Sequence, residues 1–320
     1  MPVSPVRDTG DPLQCGEVAK ESWTNFATVV ARNSSGRNRS EGWQWAKLSG
    51  HWNEEQLVEL LQDDDRFGRS IGMRIFGRDV GLPVEVRGGG ASADRVDDIF
   101  GHRTNGKPDI YVRWKGQDAV NLSVKKSLGG QVFLTSVDRF VAGFEHHFSE
   151  KVPTPVVEML HLFIGTDGEK CDLVMRGHEY LGPTSRSGEL QEIHQHRLLA
   201  VTLSRHFGRD WAETLKWVTT NSGKIADMSF SRGYARSQSD FATHVWYFVA
   251  DEGKVKVDCL IPIQSIVRYS AQSKDTVSVG PRNGGSTILF PFGFLQMHSP
   301  QGENQIQFHH SHAKLAHLEE

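Results

Sequence analysis

The chain has 320 residues, with 36 lysine and arginine side chains against 39 aspartate and glutamate side chains and a formal net charge of −3. Its 38% hydrophobic and 23% charged residues are typical of a globular protein and exclude a disordered, collagen-like or coiled-coil chain. No run of about 18 apolar residues occurs, so no membrane-spanning segment is predicted. The near-neutral charge gives no overall signature of nucleic-acid binding, so any basic surface must be gathered on one face.

The cysteines and the first residues indicate the cellular compartment of the protein. Cys15, Cys171 and Cys259 are few, odd in number and far apart, which is typical of reduced thiols and not of a disulfide framework. The opening residues MPVSPVRDTGDP lack the apolar stretch of a secretory signal. A cytoplasmic location is therefore expected.

The N-terminal portion, residues 1–50, combines a helix with a basic arm. Residues 16–32 carry apolar side chains at helical spacing and predict an amphipathic helix. The following stretch is polar and rich in glycine and serine, and it contains Arg37 and Arg39. This composition predicts a loop or arm.

The next stretch alternates between helices and strands. Residues 53–63 and 67–77 predict two short helices, the first with acidic residues in its first turn. Residues 80–86 predict a strand. Two β-rich runs, 108–114 and 119–125, are separated by a short polar turn and together predict a β-hairpin.

Helices dominate the middle of the chain. After a glycine break at 129–130, helices are predicted over 135–149 and 154–164, and two more over about 189–206 and 209–220. From residue 243 onward the sequence becomes strand-like, in four runs separated by Gly, Pro and Asn turns: 244–250, 255–263, 286–294 and 304–310. The pattern predicts an α/β fold with a strand-rich C-terminal portion.

The hairpin carries the residues best suited to chemistry. Pro108 and Asp109 begin its first strand, and Ser123, Val124 and Lys125 end its second. Side chains two residues apart in a strand share a face, so Ser123 and Lys125 point the same way, and the turn brings Asp109 near them. A carboxylate and a backbone carbonyl suit a hard cation such as Mg²⁺, and a nearby ammonium can orient water at a phosphodiester.

One carboxylate holds a divalent ion weakly, so a second acid is sought. Asp138, on the following helix, is the preferred candidate for the second ligand, and Glu145 is a poorer one. Glu85, at the end of the preceding predicted strand, is a possible further ligand, as is the Val124 carbonyl. As a residue of a first helical turn, Asp138 suits the helix dipole equally well.

At these residues the chain resembles the PD-(D/E)XK nuclease superfamily, here Pro108-Asp109, thirteen residues, then Ser123-Val124-Lys125. It looks most like type II restriction endonucleases, several of which replace the second acid with Ser or Thr and supply it from a helix about as far after the lysine as Asp138. Segments 223–235 and 284–310 also resemble segments of restriction enzymes with this core.

The resemblance implies a mixed central β-sheet flanked by helices and sequence-specific cleavage of duplex DNA with Mg²⁺, for which Mn²⁺ can substitute. It implies a nuclease core over 51–165 and a DNA-recognition portion over 166–320, continuous with the core. It further implies a homodimer and a cognate DNA methyltransferase encoded elsewhere in the genome. Asp109 is then a metal ligand, Lys125 positions the attacking water, and Ser123 marks the vacated acid position.

Contacts to DNA are predicted by side-chain type. Arginine suits guanine and Asn or Gln suits adenine in the major groove, which favours region 280–310 for sequence reading. The candidates are Arg282, Asn283, Gln301, Asn304, Gln305 and Gln307. Candidates for phosphate contacts, which set register without reading sequence, are Lys126, Arg232, Arg236, Arg37 and Arg39.

Two other functions remain open on the sequence. A repair or recombination nuclease could use the same core while recognising DNA structure or damage. A DNA-binding protein that senses modified bases could carry an inert core, and the serine at position 123 is the feature that favours it.

Overall fold

The computed structural model describes residues 54–88, 95–167, 169, 171, 197–251, 254–281, 284–299 and 303–319. The predicted helix over 16–32 and the arm with Arg37 and Arg39 lie outside these residues. Within the described ranges, no helix is both long and apolar enough to cross a lipid bilayer.

Nine helices are described, and an extra π-helical turn, Met228–Arg232, follows the seventh. They are α1 (54–63), α2 (Asp65–Phe76), α3 (Val137–Phe148), α4 (Thr154–Ile164), α5 (Ala200–His206), α6 (Gly208–Thr220), α7 (Ser222–Asp227), α8 (Ile263–Gln272) and α9 (His312–Leu315).

Twelve strands are described in the same ranges. They are β1 (Pro83–Gly88), β2 (Val96–Asp97), β3 (Arg103–Thr104), β4 (Ile110–Trp114), β5 (Val120–Lys125), β6 (Gly129–Thr135), β7 (His244–Asp251), β8 (Lys254–Pro262), β9 (Ser278–Val279), β10 (Thr287–Phe290), β11 (Gly293–His298) and β12 (Gln305–Ser311).

Ten of these strands form two five-stranded sheets, and β2 and β3 pair with each other in a separate antiparallel ribbon. The first has the order β1-β4-β5-β7-β8, in which β5 and β7 run parallel and the other neighbours antiparallel. The second has the order β6-β12-β11-β10-β9 and is antiparallel throughout. The predicted fold, a mixed sheet flanked by helices with a strand-rich C-terminal portion, is confirmed. Each sheet combines strands from before residue 136 with strands from after residue 243.

The first sheet is buried differently on its two faces. One face packs against Leu57 and Leu61 of α1 and Phe67 and Ile71 of α2, together with the side chains of alternate strand residues such as Val112. On the other face, only the β7 and β8 half joins the large second core, which also contains α3, α4 and the inner face of the second sheet. The β1 and β4 half of that face is left for polar side chains.

Local sequence explains where the helices flanking the site begin. Asp64 caps α2 by accepting hydrogen bonds from the backbone N–H groups of Arg66 and Phe67, and Gly77 ends the helix in the left-handed conformation. Ser136 caps α3 in the same way, with a bond from the Arg139 N–H. These caps fix the helices close to the predicted bounds.

Several predicted elements differ from the structure. The prediction of a break in secondary structure at Gly129 and Gly130 is wrong, because both residues begin β6 and pair with β12. A Cβ on Gly129 would lie 3.4 Å from the His310 carbonyl oxygen, which is an ordinary van der Waals contact. The predicted strand over 286–294 is two strands joined by a tight turn, and the helices α7 and α8 were not predicted.

Candidate active site

The Asp109 carboxylate is held by the strand that faces it. The Asp109 N–H donates to the Leu122 carbonyl at 2.8 Å, which extends the hairpin ladder by one residue. The carboxylate oxygen Oδ2 accepts the Val124 N–H at 2.7 Å and the Ser123 hydroxyl at 3.3 Å. These bonds orient the side chain across the end of β5.

Lys125 joins this group through the serine. Its ammonium nitrogen donates to Ser123 Oγ at 2.8 Å, so the hydroxyl lies between the ammonium and the Asp109 carboxylate. Ser123 is buried and Lys125 is half-buried. The structure thus brings the three sequence-predicted residues of the hairpin together on one face, in the order carboxylate, hydroxyl, ammonium.

The Asp109–Ser123–Lys125 group lies between the half of this sheet face that packs against the large core and the half that does not. On the same face, Lys125 is in register with Tyr247 of β7, which belongs to the large core. On the other side, Asp109 is followed two residues later by Tyr111, which is paired with Arg87 of the edge strand β1. The site therefore has an apolar wall on one side and an accessible basic edge on the other.

The wall beside Lys125 contains a buried pair that the sequence did not reveal. Tyr247 Oη lies 3.0 Å from His310 Nδ1. Burial lowers the pKa of His310 to about 3, and the positive charge of Lys125 contributes to the lowering. His310 is therefore neutral at physiological pH and shares one hydrogen bond with the tyrosine hydroxyl.

Lys107 is a second functional candidate that sequence reasoning missed. Its ammonium donates to the carbonyls of Val132 at 2.8 Å and Ser229 at 2.7 Å, and it lies 4.3 Å from the Phe133 ring centroid. Burial lowers the pKa of Lys107 to about 7, Lys125 lowers it further, and Asp109 opposes the shift. The residue ties the strand that carries Asp109 to β6 and to the π-helical turn, and no motif spacing marks it.

The structure places Asp138 in the first turn of α3, and its role as a second metal ligand stays a prediction. The Asp138 side chain is 82% exposed, and its Oδ1 lies 3.1 Å from His161 Nε2 on α4. No described residue of the hairpin contacts it. Asp138 occupies the first turn of α3, where a carboxylate suits the helix dipole, and that electrostatic role explains its position. The alternative Glu145 accepts from Lys151 and from the Val152 N–H at the far end of α3.

Glu85 is also placed away from the ion position. It is in register with Arg113, whose guanidinium donates to Glu85 Oε2 at 2.9 and 3.0 Å. Arg113 lies four residues after Asp109 along β4, a separation of about 13 Å in an extended strand. The Glu85 carboxylate thus belongs to an ion pair farther along the hairpin, and its role as a further metal ligand stays a prediction.

The donor set fits a hard cation only in part. Among the described residues, no group of three or more His, Cys, Asp and Glu side chains lies close enough to hold a metal ion. Asp109 offers one carboxylate, and both of the hydrogen bonds that described residues donate to it end on Oδ2. Mg²⁺ keeps several waters and is often held by one or two carboxylates together with substrate phosphate. The residues thus suit an ion whose shell is completed by water and a bound phosphate.

The predicted DNA contacts divide into several groups. Lys126 pairs with Glu54 of α1 at 3.1 Å, so it points to the covered face of the sheet and away from Asp109. Arg232 is bonded to Asp227 at 2.7 Å, and Asn304 donates to the Gly165 carbonyl at 2.9 Å, so both are engaged inside the protein. Arg236 is exposed. Arg282, Asn283 and Gln301 lie outside the described residues, as do Arg37 and Arg39.

The two remaining candidates lie on the second sheet. Gln305 is half-buried and Gln307 is 7% exposed, and both point to the outer face of β12. Gln307 is hydrogen-bonded to other glutamine side chains on either side. It is therefore a member of a network on that face.

No protein-family model matches the sequence, and no curated protein sequence matches it. Among solved structures, the chain is similar to the restriction endonuclease MspI in a crystal structure with its cognate DNA. The two chains are 9% identical with a TM-score of 0.45, and the alignment covers 79% of this chain and 83% of that chain. The assignment of chemistry therefore rests on the hairpin residues themselves.

Proposed function

We propose that this protein is a divalent-metal-dependent endonuclease that cleaves duplex DNA at specific sequences. The observation that carries the proposal is the Asp109–Ser123–Lys125 group, in which a carboxylate, a hydroxyl and an ammonium are joined by hydrogen bonds at one end of a hairpin. The group borders an open, partly basic half of the sheet, which suits a polyanionic substrate.

Each residue has a role that follows from its position. Asp109 supplies the carboxylate ligand, and the Val124 carbonyl is the candidate backbone ligand beside it. Ser123 fixes the Lys125 ammonium by accepting its hydrogen bond, which leaves the other ammonium hydrogens for water or a phosphate oxygen. When bound at Asp109, Mg²⁺ or Mn²⁺ supplies charge neutralisation at the scissile phosphate.

The open half of the sheet offers a phosphate contact next to these residues. The Arg87 guanidinium carbon lies 4.1 Å from the centroid of the Tyr111 ring, and the arginine side chain is 64% exposed. Stacking holds the guanidinium flat, and its remaining donors suit a phosphate bidentately. Within the described part of the chain, Arg87 is ion-paired with Glu85 at 3.6 Å, and Glu85 is shared with Arg113 at 2.9 Å.

A second candidate function is a DNA-binding protein with an inert core. The single carboxylate favours it, because Asp138 and Glu85 are both engaged elsewhere. Such a protein would bind DNA, modified or not, without cutting it. The two functions differ in one measurable property, cleavage in the presence of a divalent ion.

The deciding experiment is a digest of unmodified and methylated plasmid with Mg²⁺ or Mn²⁺, followed by sequencing of the fragment ends. The wild type is expected to give discrete fragments with a recurring end sequence, and Asp109→Asn and Lys125→Met are expected to give none. Asp118→Asn and Lys115→Ala are matched controls, since both are exposed residues in the turn at the opposite end of the same hairpin.

The possible outcomes distinguish the candidate functions from one another. Full activity in the Asp109 or Lys125 variant excludes this site. Tight DNA binding without cleavage under any of these conditions favours the inert sensor. Fragments with random ends favour a repair or recombination nuclease.

The assembly and genetic context form part of the proposal. We propose that two copies act together to cut both strands and that a DNA methyltransferase protects the host genome. A plasmid with one target site tests the first point, because a dimer is expected to linearise it without an accumulating nicked intermediate.

A further inference from the structure

The outer face of the second sheet carries a continuous chain of hydrogen-bonded side chains across three strands. Gln307 Nε2 on β12 donates to Gln131 Oε1 on β6 at 2.8 Å. Gln296 Nε2 on β11 donates to Gln307 Oε1 at 2.8 Å and lies 3.1 Å from His309 Nε2. We call these four residues the glutamine network.

Strand register explains why these residues meet. Gln296 is directly opposite Gln307, and the neighbouring pair on the same face is Phe294 and His309. A bulge between Phe308 and His309 shifts the pairing with β6, so that Gln131 lies opposite His309 and diagonal to Gln307. The alternate residues of these strands, such as Phe308, point into the core and fix which face the network occupies.

The histidine at the end of the network is held in a defined state. Its ring stacks on Phe294 with 4.4 Å between centroids and an interplanar angle of 8°. Burial lowers the pKa of His309, and His298 adds to the lowering. A neutral His309 can accept at Nε2 from Gln296, and its proton then resides on Nδ1.

The hydrogen bonds within the glutamine network leave one amide donor and one amide acceptor at its two ends. Gln307 is 7% exposed, and both halves of its amide are engaged. No described residue bonds the Gln131 amide nitrogen, which is therefore left as a donor, or Gln296 Oε1, which is left as an acceptor. Because β12 lies between β6 and β11, these two strands are about 10 Å apart. The surface thus presents a donor and an acceptor at a set separation.

This surface is connected to the catalytic group through a short segment. β6 begins at Gly129, four residues after Lys125, and Gln131 is the third residue of that strand. The segment that joins the catalytic group to the glutamine network is therefore short.

We propose that the glutamine network is the base-reading surface of the protein, with Gln131 and Gln296 contacting base edges in the major groove and Gln307 acting as a positioning residue. This inference rests on the proposed function and deepens it. A donor at Gln131 suits the acceptor edges of guanine, thymine or adenine N7, and an acceptor at Gln296 suits the amino group of adenine or cytosine. Because Gln307 orients the amides of Gln131 and Gln296, replacing Gln307 leaves both base-contacting amides without a fixed orientation.

The test compares sequence preference in the wild type, Gln307→Leu and Gln131→Leu. Each protein selects from a library of randomised duplexes in Ca²⁺, and each also digests plasmid in Mg²⁺ with the fragment ends sequenced. Gln307→Leu is expected to bind and cleave while its discrimination at one or two positions falls about tenfold or more. Gln264→Leu, at an exposed position on α8, is the matched control and is expected to keep the wild-type preference.

The outcomes separate this inference from the proposed function. An unchanged motif in both network variants, or no enriched motif with the wild type, overturns the inference. A wild type that enriches a motif relaxed by Gln307→Leu but cuts nothing supports the inference while the nuclease proposal fails. Circular dichroism and thermal melting identify a variant that has failed to fold, and Gln131→Leu, at an exposed position, then supplies the decisive comparison.

Discussion

The ammonium of Lys125 lies 2.8 Å from the hydroxyl oxygen of Ser123, at the position where the strict nuclease pattern has an acid. The serine accepts from the lysine, as an acid would, and it also donates to Asp109, which an ionised acid cannot do. It does not replace the negative charge. Among the described residues, the group therefore combines a single carboxylate, Asp109, with a lysine whose ammonium is held by a hydroxyl.

Removing the Lys125 charge is expected to abolish cleavage. Lys125→Met keeps the length of the aliphatic stem but loses the ammonium that orients water and neutralises developing charge, so the single-turnover rate should fall at least about 100-fold. DNA binding measured by gel shift in Ca²⁺ should change little. The Lys115→Ala control should cleave at the wild-type rate, and similar rates for the two variants would contradict the assigned role.

Restoring the acid at position 123 is expected to increase metal dependence. In Ser123→Asp, a second carboxylate lies beside Asp109 in a buried position, so repulsion should lower the melting temperature by several degrees without metal. Mn²⁺ should raise the melting temperature of this variant more than that of the wild type, because the ion binds the folded state. Ser123→Asn is the uncharged control, and an equal response to Mn²⁺ in both variants would argue against an ion at Asp109.

Arg87 is expected to contribute affinity for DNA without affecting sequence choice. Arg87→Gln removes a positive charge from the open half of the sheet, so the dependence of log Kd on log salt should weaken by about 0.9 for one phosphate contact. Fluorescence anisotropy over a range of salt concentrations measures this slope. Lys216→Gln, an exposed change on α6, should leave the slope unchanged, and an unaltered slope for Arg87→Gln would exclude the contact.

Buried histidines are expected to make the fold sensitive to mild acid. Burial lowers the pKa of His310 to about 3 and those of His147 and His244 to about 4, from an ordinary value of 6.5. Between about pH 6.5 and 4 the unfolded chain binds more protons than the folded chain, so stability falls as the pH is lowered through this range. The buried His310 contributes a slope of up to about 1.4 kcal/mol per pH unit, and the half-buried His147 contributes less because solvent screens its charge.

Urea unfolding at several pH values tests this dependence. His310→Gln keeps an acceptor for the Tyr247 hydroxyl but cannot be protonated, so its stability should decline less steeply with acid than that of the wild type. Gln264→Leu changes no titratable group and serves as the control. Parallel curves for wild type and His310→Gln would show that His310 does not stay neutral in the fold.

Some of the site could be predicted because it depends on local geometry. The hairpin over 108–125 combines β-rich runs with a polar turn, and period-two alternation places Ser123 and Lys125 on one face. The antiparallel return then brings Asp109 beside them, as the structure shows. These relationships involve residues that are close in sequence, so they need no knowledge of the rest of the chain.

The sequence alone could not settle which carboxylate is the second ligand, because spacing along the chain does not determine the direction of a side chain on a helix. Asp138 has the expected separation from Lys125, yet its carboxylate contacts His161 of α4. Which neighbour a helix meets is decided by packing. The same holds for Glu85, whose register with Arg113 follows from the pairing of β1 with β4.

The sequence by itself determined many of the helices and strands, the hairpin and the chemical character of the end of the hairpin, since local propensity and strand periodicity act over a few residues. Only the tertiary structure decided which side chains surround that end of the hairpin. Lys107, the Tyr247–His310 pair and Arg87 come from positions that are distant in sequence or that no motif indicates. It also decided that Gln131, Gln296 and Gln307 form one network, because a strand bulge and two pairings must combine to align them. Contacts between segments depend on the packing of both sheets at once, which no local pattern encodes.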